Sequence, residues 1–147
     1  SDPPTTSTRA SADEGTDVFL HIYDLGDFST GINSWQLAGG GLFHVGVEVN
    51  KLEWSYGQTL ESWATGVTYN PPRQHEDHTY RETVFMGRSR MSRQEVYQLV
   101  EKLKIEWPGS EYHLLRRNCL SFAQEFLSRL GVKPLPAYVT ALPERGD

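Results

Sequence analysis

The apolar residues of this chain change their spacing once, near residue 90, and that change limits the fold more than any other feature. Before it, apolar positions recur every second residue. Val18, Leu20 and Ile22 alternate with Phe19, His21 and Tyr23 in VFLHIYDL, and Val45, Val47 and Val49 alternate with His44, Gly46 and Glu48 in LFHVGVEVN. Period two with branched and aromatic side chains reads as strand. LEWSYG follows after the short turn Asn50-Lys51, which predicts a hairpin. TYRETVFMG, Thr79 to Gly87, alternates again and reads as a further strand.

After residue 90 the spacing becomes helical. Ser92 and Glu95 form a capping box, in which each side chain satisfies a backbone N–H that the helix leaves without a partner. Val96, Leu99, Val100 and Leu103 then mark one apolar stripe, and Trp107-Pro108-Gly109 ends it. A second stripe runs through Phe122, Ala123, Phe126, Leu127 and Leu130; Gly131 suits its C-cap and Pro134 blocks continuation. The tail PLPAYVTALP is apolar and is expected to lie on the body of the domain. Strands first and helices after predict an α+β fold, a small mostly antiparallel sheet with helices packed against it.

The remaining stretches lack a period. Residues 1–16, SDPPTTSTRASADEGT, are polar and are expected to form a disordered tail, which leaves 17–147 as the domain. Gly26 to Gly41 reads as a loop with one helical turn at Ile32–Leu37, and residues 57–78 read as loop. The 147 residues suit one domain, and a net charge of −5 argues against non-specific nucleic-acid binding. No apolar run approaches the roughly 20 residues that span a bilayer, so no membrane partner is expected. No charged start leads into an apolar stretch, so no signal peptide is read. A single cysteine and the absence of an Asn-x-Ser/Thr sequon favour the cytosol or nucleus.

That cysteine, Cys119, follows a good N-cap, Asn118, and falls in the first turn of the last helix. Partial positive charge at the helix start, with Arg116 and Arg117 upstream, is expected to favour thiolate and to bring the pKa below about 8.5. Read from the residues alone, a core niche stands slightly ahead of a nucleophile, because free cysteine is commonly buried. A nucleophile needs a base, and five histidines are present. His21 reads as packing or surface, and His113 as surface. His75 and His78, in QHEDH, have a loose metal-like spacing, but no further Cys/His cluster completes a site, so a polar loop is expected and no metal. His44 opens a strand after a glycine run, with Gly46 on the same face leaving room for another group, though from the residues alone a lone strand histidine is more often structural.

Four segments, in this order, resemble the PPPDE family, the permuted papain-fold peptidases that include the deSUMOylating isopeptidases. They are VFLHIYDL with its Tyr-Asp-Leu, GLFHVGVEV with its His and small residues, EWSYG from Glu53 to Gly57, and YHLLRRNCLSFAQEFLSRLGVKPLPAYV with its Asn-Cys before a helix. The resemblance covers roughly residues 17–143. It implies that His44 is the catalytic histidine and Cys119 the nucleophile, and it reverses the order of the readings for both. One departure stands out: the family often has Asn-Cys-Asn-His-Phe where this chain has Asn118-Cys119-Leu120-Ser121-Phe122, which puts substrate preference in question more than chemistry. No third, histidine-orienting residue is identifiable.

The resemblance implies cleavage of isopeptide bonds to a ubiquitin-like modifier, SUMO or ubiquitin, through an acyl-thioester on Cys119, with no metal or organic cofactor. Its partners would be the modifier and its conjugates, and a homodimer is left open. Two other classes stay in view. Thioesterase or acyltransferase chemistry on fatty-acyl groups would need an apolar groove, for which Phe28, Trp35, Leu37 and Leu42 are available. A protein-binding module with an idle dyad would need no activated thiol.

Overall fold

A computed structural model of the protein describes residues 15–24 and 43–140. The helical turn expected at 32–37, the loop residues Phe28, Trp35, Leu37 and Leu42, and most of the expected N-terminal tail lie outside them. Five strands form one sheet: β1 (Thr16–Asp24), β2 (Phe43–Val49), β3 (Leu52–Tyr56), β4 (Val67–Asn70) and β5 (Thr79–Ser89). Three helices follow: α1 (Arg93–Glu106), α2 (Cys119–Leu130) and the short α3 (Ala137–Thr140). The strand order is β4-β3-β2-β1-β5, and every pairing is antiparallel. The chain is therefore α+β, with sheet and helices segregated as expected. Among the described residues no helix is long and apolar enough to cross a membrane.

The expected hairpin is present. Asn50 and Lys51 join β2 to β3 with Val49 opposite Leu52, and both turn residues have positive φ, 55° and 70°. That sign matches the twist of the two strands and gives a tight two-residue connection. β4 was not expected. Only Val67 of its four residues is buried, so its sequence carries no alternation to read. Along β5 the register against β1 shifts where Val18 faces Gly87 and Phe19 faces Phe85. Met86 is the extra residue of this bulge, and it is buried while Phe85 is exposed.

One sheet face carries the apolar core. Val18, Leu20, Ile22, Val45, Val47 and Val49 are buried against Val96, Leu99, Val100 and Leu103 of α1 and Phe122, Ala123, Phe126, Leu127 and Leu130 of α2. The capping box of α1 is formed: Ser92 Oγ accepts from Glu95 N, and Glu95 accepts from Ser92 N. Gly131 ends α2 in the left-handed region at φ 78°, where its N–H satisfies a carbonyl of the last turn.

The opposite face is polar, yet it is also buried over part of its area. His21 is fully buried, sharing hydrogen bonds with Thr83 Oγ1 and Glu48 Oε1, each 2.7 Å long. Tyr23 donates to both oxygens of the buried Glu53, at 2.9 and 2.7 Å. The segment after β4 folds over this region: Arg73 N–H donates to Glu53 Oε1 at 2.7 Å and His75 N–H to the Tyr23 hydroxyl at 3.3 Å. Gly46 makes the arrangement possible, because a Cβ there would lie 2.3 Å from Glu53 Oε2. The group that the glycine admits is thus Glu53.

Candidate active site

Cys119 is the first residue of α2, and its placement follows from Asn118. The Asn118 side chain accepts from Leu120 N and Ser121 N at 3.0 Å each, while Ser121 Oγ accepts from Asn118 N at 2.7 Å. This cap fixes the helix start, and the buried face of the helix sets the sulfur toward the sheet. The β2–β3 ladder runs only from Val49–Leu52 to Val47–Trp54. Where it would continue toward Val45 and Phe43, the Cys119 thiol lies against the strand instead. It donates to the Phe43 carbonyl at 3.8 Å, and the Val45 N–H is directed at it from two residues on. Cys119 therefore sits against the main chain on either side of His44.

The His44 ring packs among aromatic side chains. It turns to the polar face, where its centre is 4.4 Å from that of His75, 4.5 Å from that of His78 and 5.6 Å from that of Tyr23. His44 is 6% exposed, and its buried Nε2 has no hydrogen-bond partner among the described residues. The two candidate residues are thus brought to one stretch of the backbone, Cys119 against the main chain that flanks His44.

The electrostatics differ from the sequence expectation. Burial pushes the Cys119 thiol up to about 11, against the pull of the N–H groups of Val45, Cys119 and Leu120. The helix start does favour thiolate, but at 7% exposure the loss of hydration is the larger effect. The upstream arginines do not reverse it. Arg117 stacks over the Trp107 ring at 3.9 Å, donates to the Glu106 carbonyl at 2.7 Å and pairs with Glu111 at 3.3 Å. Arg116 is exposed. The expected low thiol pKa is thus corrected for this conformation. Burial, then the neighbouring His75 and His78, hold His44 well below the usual histidine range. At neutral pH the pair is a neutral thiol and a neutral imidazole.

Five further residues belong to this region. Tyr23 and Glu53 form the buried pair behind His44, and burial with the Glu53 bond raises the Tyr23 phenol. Each stands in one of the four motif segments, which was the available signal. His75 and His78 come from the QHEDH loop, and only its closure over the sheet shows that they join His44. Tyr112, at the other end, is raised by burial and by Cys119, whose backbone N–H is directed at its phenol oxygen.

The chain belongs to the PPPDE putative peptidase domain family, whose model matches residues 16–147. It is 33% identical over 155 residues to a DeSI-like protein of Arabidopsis thaliana, an alignment covering 99% of this chain and 67% of that protein. It is 29% identical to the desumoylating isopeptidase 1 homolog of Caenorhabditis elegans, over 94% of this chain and 41% of the relative. A DeSI-like protein of Schizosaccharomyces pombe is 27% identical over 88% of this chain and 65% of its own length.

Proposed function

We propose that this chain is a cysteine isopeptidase of the permuted papain type that removes a ubiquitin-like modifier, SUMO or ubiquitin, from proteins, with Cys119 as nucleophile and His44 as its base. The observation that carries the reading is the seat of the Cys119 sulfur beyond the end of the β2–β3 ladder, against the main chain flanking His44. Family membership and the name of the nematode relative support the substrate class. A lone free thiol suits the reducing cytosol or nucleus.

The chemistry follows from the neutral pair. His44 turns out of its cluster toward the edge of β2 where the sulfur lies. As Sγ bonds to the carbonyl carbon of the modifier's last residue, the thiol proton passes to His44. His44 then protonates the leaving lysine amine, and the C–N bond breaks to leave a thioester. Water, losing its proton to His44, hydrolyses the thioester and regenerates the thiol. The Cys119 N–H at the helix start serves the oxyanion once it leaves the Tyr112 phenol.

A second reading has its own support. The packing of the His44 ring against His75 and the raised thiol pKa both fit a protein-binding module with an idle dyad. Labelling with electrophiles distinguishes them. A probe carrying a ubiquitin-like C-terminus is expected to label the protein at Cys119 and not the Cys119→Ala variant. Labelling by a fatty-acyl electrophile alone would replace the substrate class, and labelling by neither would leave the binding module.

A further inference from the structure

The QHEDH segment reads in the sequence as a solvated loop, but the fold closes it over His44. The ring centres of His75 and His78 are 4.7 Å apart and each is within 4.5 Å of His44. One nitrogen from each of the three rings lies within 4.8 Å of the others. Main-chain bonds hold the loop in place, from Arg73 to Glu53 and from His75 to Tyr23. Burial, then the charge that His75 and His78 would carry, disfavours protonation of His44. The buried His44 Nε2 lacks any hydrogen-bond partner among the described residues, and such a buried polar atom calls for an explanation.

We propose that His44, His75 and His78 form a three-histidine site for a divalent cation of the zinc class, and that the bound cation keeps the His44 ring away from Cys119. The second half of this rests on the reading of His44 and Cys119 as a dyad; the first half does not.

The donor set selects the ion. Three imidazole nitrogens suit zinc, copper, nickel or cobalt and are poor ligands for magnesium or calcium, which take oxygen. Three protein nitrogens leave the fourth tetrahedral position open, as in sites that keep a water. Metal–nitrogen bonds of about 2.0–2.1 Å set the nitrogens roughly 3.3 Å apart, so the rings must close in from their present spread of up to 4.8 Å. His75 needs one further change. Its Nδ1 accepts from Asp77 N–H at 3.1 Å, which uses the single lone pair of a neutral ring. The cation either takes that lone pair or draws the ring into its other tautomer and binds Nε2. In both cases the exposed Asp77 N–H turns to water. His75 and His78 are only half-buried, which provides the way in.

Cobalt(II) titrated into the untagged protein gives a spectrum independent of activity. The expected result is saturable binding of one equivalent, with visible d–d absorption that zinc(II) displaces. It should be retained in Cys119→Ala and lost in His75→Gln/His78→Gln. No saturable binding, binding that survives in the double variant, or a thiolate charge-transfer band that disappears with Cys119→Ala would each overturn the site. If the double variant does not fold, His78→Gln alone should weaken cobalt binding by at least about tenfold, since a ligand is worth no less than an outer-shell partner. For the second half, zinc(II) should slow iodoacetamide alkylation of Cys119 and a chelator should restore it, with no such effect in the double variant. An unchanged rate in protein shown to bind the metal would overturn that half. If metal-free protein fails to react with the modifier probe while the cobalt spectrum stands, the isopeptidase reading falls and the metal site remains.

Discussion

On the helix-packed face of the sheet, Val18, Leu20, Ile22, Val45, Val47 and Val49 meet the apolar stripes of α1 and α2, and contact with other apolar groups is all that each residue needs. On the opposite face His21, Tyr23 and His44 of the same strands, with Glu53 of β3, are just as thoroughly buried, but each polar atom needs a particular partner. His21 finds Thr83 and Glu48, and Tyr23 finds Glu53; His44 Nε2 finds none among the described residues. The first face tolerates approximate fit, because hydrophobic burial has no direction. The second depends on a few angles and distances, and a buried polar group left without its partner is costly. Stability is therefore expected to be spread over the apolar face and chemistry concentrated on the polar one, with Cys119 at the seam between them.

The sharpest test of that division separates activity from stability. Cys119→Ala should abolish cleavage of a modifier conjugate. His44→Ala should lower it by about 10²–10⁴-fold, the usual contribution of a positioned acid–base group. The double variant should be no worse than Cys119→Ala, since the two act as one unit. Melting temperatures of all three should stay within a few degrees of the parent, whereas a collapse of the fold would show that the polar face also carries the stability. Phe126→Ala is the converse. Phe126 is fully buried two turns along α2 from Cys119, and its truncation should cost about 3–5 kcal/mol in denaturant melts. The surviving folded fraction should keep its turnover, and a loss of turnover without a loss of stability would break the comparison.

The apolar face was legible because its information is local. Val45, Val47 and Val49, or Phe122 and Phe126, declare their face by spacing alone, and Ser92, Glu95, Asn118 and Gly131 declare the helix ends. The polar face needs register. His21 reads as packing or surface until β5 is aligned so that Thr83 comes beside it. Gly46 correctly announces that a group comes close, but the group is a carboxylate from the neighbouring strand and not the thiol. His75 and His78 read as solvated because nothing in five loop residues says what the loop covers. The helix-start position of Cys119 was readable from Asn118. The burial that raises its pKa was not, because it depends on how α2 docks at the end of the β2–β3 ladder.

Gly46→Ala tests the polar face at smaller scale. The added Cβ would lie 2.3 Å from Glu53 Oε2 and 2.6 Å from Glu53 Cγ. Glu53 cannot swing aside without giving up Tyr23 and the Arg73 N–H. A loss of about 1–3 kcal/mol is expected in equilibrium unfolding, the usual range for overpacking. Because the disturbed pair stands behind His44, the rate of conjugate cleavage should fall as well. A neutral result would mean that Glu53 is loosely held and that the precision assigned to this face is not there.

The smallest expected effect concerns the residue at the seam. Burial raises the Cys119 thiol from an ordinary value of 9.0 to about 11. A group whose pKa is higher in the folded state than in the unfolded one stabilises the fold fully below its unfolded value. That contribution is lost as pH rises through the folded value. Cys119 should therefore contribute to stability up to about pH 9 and cease to do so by about pH 11. Other groups titrate in the same window, so the quantity to read is the difference between the parent and Cys119→Ala in melts from pH 7 to pH 11, with chelator present. The parent should lose stability the more steeply of the two. Phe126→Ala, on the other face, should run parallel to the parent throughout. Alkylation of Cys119 by iodoacetamide reads the same equilibrium kinetically, because only thiolate reacts, and its midpoint should fall near 11 in the resting protein. A midpoint below about 8.5, with no extra alkaline slope, would mean that the helix start outweighs burial. The thiol would then belong electrostatically to the exposed, reactive side of the seam, with no opening step needed before it attacks.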